Sequence, residues 1–189
     1  MQPAERSQRL FFALWPNEES RRALGALTAR AVRRCGGRPV PVASLHVTLA
    51  FLGNVPSSQL PQLERIAREQ ATACAQHVPL CLTFERLVHW PRQQILCVPA
   101  TDGAAGAHAL AAALRDATAA AGFRPDLKPF RAHVTVARKV ARFARTLALR
   151  PVVWRFAAFA LCESRTEESG AVYSVIETYA LVKTEKAHE

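Results

Sequence analysis

Ser44-Leu45-His46-Val47-Thr48-Leu49 recurs, little changed, as Arg131-Ala132-His133-Val134-Thr135-Val136. Both copies are rich in β-formers, and side chains along a strand alternate between its faces. Strict alternation sets His46, Thr48 and Ala50 on one side, with Leu45, Val47, Leu49 and Phe51 on the other. The second copy divides His133, Thr135 and Ala137 from Ala132, Val134 and Val136 in the same way. Each strand therefore has an apolar side to bury and a side carrying an imidazole, a hydroxyl and a small residue.

The segments around the two copies also match. Residues 9–15 (RLFFALW) read as a strand stopped by Pro16. A helix over 18–35 follows, with Asn17 as N-cap and Leu24, Leu27, Ala31 and Val32 as its apolar stripe, closed by Gly36-Gly37. The first motif lies on a strand over 40–52, turned at Gly53-Asn54. Ser57 or Ser58 opens a second helix carrying Leu60, Leu63, Ile66 and Ala67. Residues 79–88 and 94–98 read as a hairpin around Trp90-Pro91-Arg92. Thr101 or Asp102 caps an alanine-rich helix to 121, and a loop leads to the second motif. Residues 139–150 suit a short helix or a basic loop, and strands over 152–163 and 171–182 finish the chain.

A strand–helix–strand unit thus occurs twice, with 35 residues from Phe11 to His46 and 38 from Ile95 to His133. Repeated units stack with approximate symmetry. A pseudo-two-fold axis would set both His-x-Thr faces across one cleft. The expected fold is α+β and bilobal, two antiparallel sheets with helices on their outer faces. One domain is expected over 1–189, with an ordered core at about 9–182.

At 189 residues the chain can bury one sizeable core. It lacks the ~18-residue apolar run of a membrane span. Its first residues lack the hydrophobic stretch of a secretory leader, so the cytosol is the expected compartment. Five scattered cysteines with no C-x-x-C pair suit buried thiols in a reducing compartment. With 25 Lys and Arg against 15 Asp and Glu, the net charge of +10 favours an anionic ligand. Arginine, which grips phosphate with a planar fork, dominates that excess.

Two imidazoles on opposite walls of a basic cleft suit in-line displacement at phosphorus. One ring activates the attacking oxygen while the other protonates the departing one. Thr48 and Thr135, two residues along each strand face, can steady the nonbridging oxygens, and Arg138 can add a cationic fork. No metal or cofactor is required by this scheme. A zinc site would need three or four ligands, and no third one sits at a suggestive spacing. There is no G-x-S-x-G nucleophile elbow. A single His-x-Thr is ordinarily structural, so it is the doubling that points to chemistry. His77, His89, His108 and His188 read as structural or solvent-facing. Phe11 and Phe12 face opposite ways, so one of them can stack a base at the cleft; Phe11 and Tyr173 are the candidates.

The paired H-x-T-x motifs, the opening R-L-F-F-A-L-W-P, the continuation H-V-T-V-A-R and the terminal Glu163-Ser164-Arg165 with Gly170 and Tyr173 resemble the two-histidine phosphoesterases. The nearest branch is the 2′-5′ RNA ligase-like RNA 2′,3′-cyclic phosphodiesterases. The resemblance implies metal-independent opening of a terminal 2′,3′-cyclic phosphate to a 2′-phosphate, with 2′-5′ RNA ligation as an accompanying activity. It implies RNA ends or nucleoside cyclic phosphates as partners, and a monomer is expected. It makes His46 the proton donor and His133 the acceptor that activates water. Thr48 and Thr135 then hold phosphate oxygens, and Arg138 matches the family's arginine. Ala132 departs from the proline that often precedes the second histidine, which should alter strand entry rather than chemistry. Two other readings stand beside this one. The chain could be a non-catalytic RNA- or nucleotide-binding module, or it could apply the same chemistry to an ADP-ribose cyclic phosphate.

Overall fold

Leucine and phenylalanine near the start of the chain form β1 (Ser7–Leu14), which places Phe12 on one side and Phe11 on the other. The computed structural model describes residues 6–75, 79–126, 128–144, 146–167 and 170–181. Pro16 ends the extended run. Asn17 then caps α1 (Glu18–Arg34) by accepting the Ser20 N–H at 2.8 Å. Glu18 and Glu19 in its first turn and Arg33 and Arg34 in its last complement the helix dipole. Leu24, Thr28 and Ala31 form its buried face.

A two-residue strand, β2 (Arg38–Pro39), and a 3-10 turn over Val42–Ser44 precede β3 (Val47–Pro56). The first motif strand therefore starts later than the sequence suggested, with His46 at its threshold. It also does not turn at Gly53-Asn54. β1 offers backbone partners out to Ser7↔Pro56, so the chain stays extended, and Gly53 takes the left-handed φ of +72° beside a β-bulge. After a 3-10 turn, α2 (Leu60–Ala73) buries Leu63, Ile66, Ala67 and Ala71.

The hairpin of β4 (Leu80–Trp90) and β5 (Ile95–Asp102) follows. Asp102 belongs to this strand and accepts the Gly103 N–H, while α3 (Ala105–Ala120) starts at Ala104 without a side-chain cap. The second motif opens β6 (His133–Arg138). Residues 139–150 hold no helix among those described, and Leu147 begins β7 (Leu147–Phe156). The single strand expected over 152–163 is two. β7 lies at the sheet edge beside β4, whereas β8 (Ala158–Glu167) inserts between β1 and β9 (Gly170–Ala180).

The strands are ordered β7-β4-β5-β6-β3-β1-β8-β9, antiparallel throughout, with β2 on β6. Read from the middle outward, the halves β3-β1-β8-β9 and β6-β5-β4-β7 correspond. They repeat the β1–α1–β3 and β5–α3–β6 units expected from the sequence. They meet at one registered pair, Val47↔Val134, immediately after each histidine. Apolar residues of all three helices join Phe12, Phe84, Leu96 and Trp154 in the main core. A smaller cluster of Phe11, Ala13, Ala160 and Cys162 lies on the opposite face of β1 and β8. Among the described residues no helix is long and apolar enough to cross a membrane.

Candidate active site

Both motif strands break alternation at the same place. Phe12 pairs with Ala50 but Ala13 with Thr48, so Leu49 is an extra residue in β3. Leu96 pairs with Ala137 but Cys97 with Thr135, so Val136 is an extra residue in β6. A bulge of this kind moves every later side chain to the other face. Ala50 and Ala137, expected beside the histidines, instead enter the main core, 7% and 0% exposed. Phe51, expected in the core, lines the cleft, and so does Arg138. Strict alternation would have placed Arg138 opposite His133 and Thr135.

The Val47↔Val134 pair brings the two motif faces together. In an antiparallel pair, His46 then lies toward Thr135 and Thr48 toward His133, all on one side of the sheet. His46, Thr48, Phe11, Arg138 and Tyr173 line a cleft of about 470 Å³. His133 lines an adjoining hollow of about 440 Å³ with Trp90 and Arg131. Thr48, Phe51, Asp126 and Lys128 border both hollows.

Each imidazole is oriented by its own strand. His46 Nδ1 lies 2.7 Å from the carbonyl of Ser44, and His133 Nδ1 lies 2.6 Å from that of Arg131. A carbonyl only accepts, so Nδ1 carries the proton and Nε2 of each neutral ring keeps its lone pair. The Thr48 hydroxyl sits 3.1 Å from His46 Nε2 and donates to it. The 3-10 turn at Val42–Ser44 aims the Ser44 carbonyl back at the ring.

The surroundings of the rings differ. Trp15 stacks on His46 at 5.3 Å and 12°, while Phe11 and Tyr173 approach it at 5.1 Å. Arg21 steadies Trp15, with its guanidinium 5.7 Å from the indole and Nη1 donating to the Pro16 carbonyl at 2.7 Å. His133 meets Trp90 at 4.6 Å. Burial pushes the His46 pKa down to about 4, with Arg138 and His133 adding to the shift against the Ser44 hydrogen bond. Burial also lowers that of His133, and the charges of Arg138 and Arg131 act in the same direction. One guanidinium thus acts on both imidazoles. Arg138 is itself held by a 3.1 Å hydrogen bond from Nη2 to the Tyr173 hydroxyl.

His46, Thr48, Arg138, Phe11 and Tyr173 share the main cleft, His133 lies in the adjoining hollow, and Thr135 pairs with Cys97 on the same face. Phe11 is only 2% exposed and packs under His46, which leaves its ring little surface for a base. Trp15, Trp90, Phe51 and Lys128 were not singled out from sequence. Trp15 could have been, since Phe11, Ala13 and Trp15 alternate onto one face. Trp90 reaches His133 only through the β4–β5 hairpin. His89 donates through Nε2 to the Val140 carbonyl, 2.9 Å away, and His108 packs on Phe130. His77 and His188 lie outside the described residues. Among the described residues, no group of three or more His, Cys, Asp or Glu is placed to hold a metal ion.

Residues 16–167 match the model of the 2′-5′ RNA ligase superfamily. A Thermus thermophilus protein named RNA 2′,3′-cyclic phosphodiesterase is 32% identical, over 92% of this chain and 90% of that protein. An Escherichia coli protein of the same name is 28% identical, over 93% and 98%. The crystal structure of E. coli LigT complexed with 3′-AMP superposes with a TM-score of 0.82 at 25% identity, covering 94% of this chain and all of that one.

Proposed function

The chain belongs to the 2′-5′ RNA ligase superfamily, and from that premise we propose that it is an RNA 2′,3′-cyclic phosphodiesterase. Its substrates are RNA 3′ ends or nucleosides bearing a 2′,3′-cyclic phosphate. Water attacks phosphorus, and the bond from phosphorus to O3′ breaks. His133 Nε2 takes the water proton, and His46 Nε2 gives a proton to O3′. The product is a 2′-phosphomonoester with a free 3′-hydroxyl. Thr48, Thr135 and Arg138 hold the nonbridging oxygens, where charge develops. With a 5′-hydroxyl in place of water, the same steps make a 2′-5′ linkage.

At pH 7 the unliganded His46 is neutral, because its pKa lies near 4. A donor must carry a proton, so that proton arrives with the substrate. The anionic cyclic phosphate beside Arg138 offsets the guanidinium charge and favours the imidazolium. The two imidazoles, the hydroxyls and the guanidinium all come from one chain, so a monomer acting as one bilobal unit suffices for the reaction. Five free cysteines suit the reducing cytosol.

The observation that carries the reading is the seam at Val47↔Val134, which sets both His-x-Thr faces side by side within reach of Arg138. The test is hydrolysis of adenosine 2′,3′-cyclic phosphate, with the 2′- and 3′-monophosphate products resolved. Turnover to the 2′ product, unaffected by a chelator, is expected. Tight, salt-dependent RNA binding without turnover would instead leave a binding module.

A further inference from the structure

Arg38, Arg138 and Lys139 crowd one edge of the cleft, and no carboxylate among the described residues pairs with them. In β2, Arg38 lies directly opposite Arg138 and Pro39 opposite Ala137, and the Val40 N–H extends the pairing to the Val136 carbonyl at 2.9 Å. Opposed residues share a sheet face with Cα atoms about 5 Å apart, where like charges repel. Among the described residues, neither Arg38 nor Lys139 makes an ion pair, and Arg138 is bonded to the neutral Tyr173 hydroxyl.

The backbone holds the charges there. A Cβ at Gly37 would lie 2.6 Å from the Arg138 carbonyl oxygen, so glycine is what lets this segment close on β6. Lys139 adopts a φ of +55°, which a lysine rarely takes and which surrounding structure must enforce. A small pocket of about 160 Å³ lies between Arg38, Lys139 and Val172. It opens on the main cleft, with Arg138, Ala171 and Tyr173 common to both.

The cations on the other side of the cleft are already engaged. Lys128 pairs with Asp126 at 3.1 Å, Arg115 with Asp116 at 3.2 Å, Arg9 lies over the Phe51 ring at 4.9 Å and Arg131 on the Trp90 ring at 4.4 Å. The β2 side thus gathers three adjacent cations, none of them in an ion pair among the described residues, next to the catalytic phosphate.

We propose that Arg38 and Lys139 form a second phosphate subsite, which holds the phosphodiester joining the terminal nucleotide to the rest of an RNA strand. Arg138 stands between this subsite and the cyclic phosphate. The strand leaves the cleft between β2 and the start of β9. The subsite rests on the phosphodiesterase reading and narrows it, because a mononucleoside cyclic phosphate has no group to place there.

The experiment compares adenosine 2′,3′-cyclic phosphate with a short oligoribonucleotide ending in the same cyclic phosphate, using the wild type and the double variant Arg38→Gln/Lys139→Gln. The double variant should lose about tenfold in kcat/KM on the oligonucleotide and keep its rate on the mononucleoside. Its oligonucleotide binding should also depend less steeply on salt. Arg38→Lys, which keeps the charge, should recover part of the loss. Equal losses on both substrates, or no loss on either, would overturn the proposal. So would a selective loss in Arg131→Gln alone, which would send the strand past Trp90. If the wild type hydrolyses neither substrate, the phosphodiesterase reading fails. Oligonucleotide binding across a salt series then still decides the subsite.

Discussion

His46 and His133 stand on strands built alike and sit under very different cover. Each ring is bonded through Nδ1 to the carbonyl two residues earlier, and each strand bulges just past its threonine. Three aromatic rings close on His46, whereas among the described residues only Trp90 meets His133, tilted by 49°. The backbone is what the duplication repeats, since hydrogen bonding and register depend little on side-chain identity. The cover comes from elements without matching sequence: Trp15 follows β1, Tyr173 lies on β9 and Trp90 ends β4. Two copies of one motif thus acquire different basicities.

The largest effect should treat the halves alike. His46→Ala and His133→Ala are each expected to cut turnover of a 2′,3′-cyclic phosphate by about 100-fold or more, and the double variant should cost little beyond either single change. A variant that kept near-wild-type turnover would break the pairing of the two halves. The next effect should separate them. Native His46 stays neutral down to about pH 4, while an unfolded imidazole takes a proton near 6.5. Stability that is complete above pH 6.5 is therefore lost as the pH falls to 4, by about 3 kcal/mol from this group. Urea unfolding of wild type and His46→Gln at pH 7 and pH 4.5 should show the variant losing less on acidification. An identical acid loss in both proteins would remove the buried-imidazole account.

A subtler comparison concerns the cover itself. Trp15→Leu should let water approach His46 and raise its NMR titration midpoint from about 4 toward 6.5. Trp90→Leu should leave that midpoint in place and raise the midpoint of His133. The smallest effect lies in the backbone. Gly53→Ala, at a φ of +72°, should destabilise by about 1 kcal/mol in thermal unfolding. Turnover in that variant should be unchanged.

The sequence alone determined the α+β class, the twofold strand–helix–strand plan, the capped first helix and the two histidines with their threonines. These follow from local periodicity and chain chemistry: alternation of faces, a side chain that caps, a proline that ends a strand. Arg138 was legible by type, but strict alternation placed it on the wrong face. Only tertiary structure decided that Phe51 and Arg138 turn inward while Ala50 and Ala137 turn away. A bulge is a mismatch of length between two paired strands, and neither strand records it by itself. The aromatic cover of His46, the seam at Val47 and Val134, and the meeting of Arg38 with Arg138 are likewise products of packing. They join residues distant in the chain, whose proximity depends on how sheet and helices bury their apolar faces together.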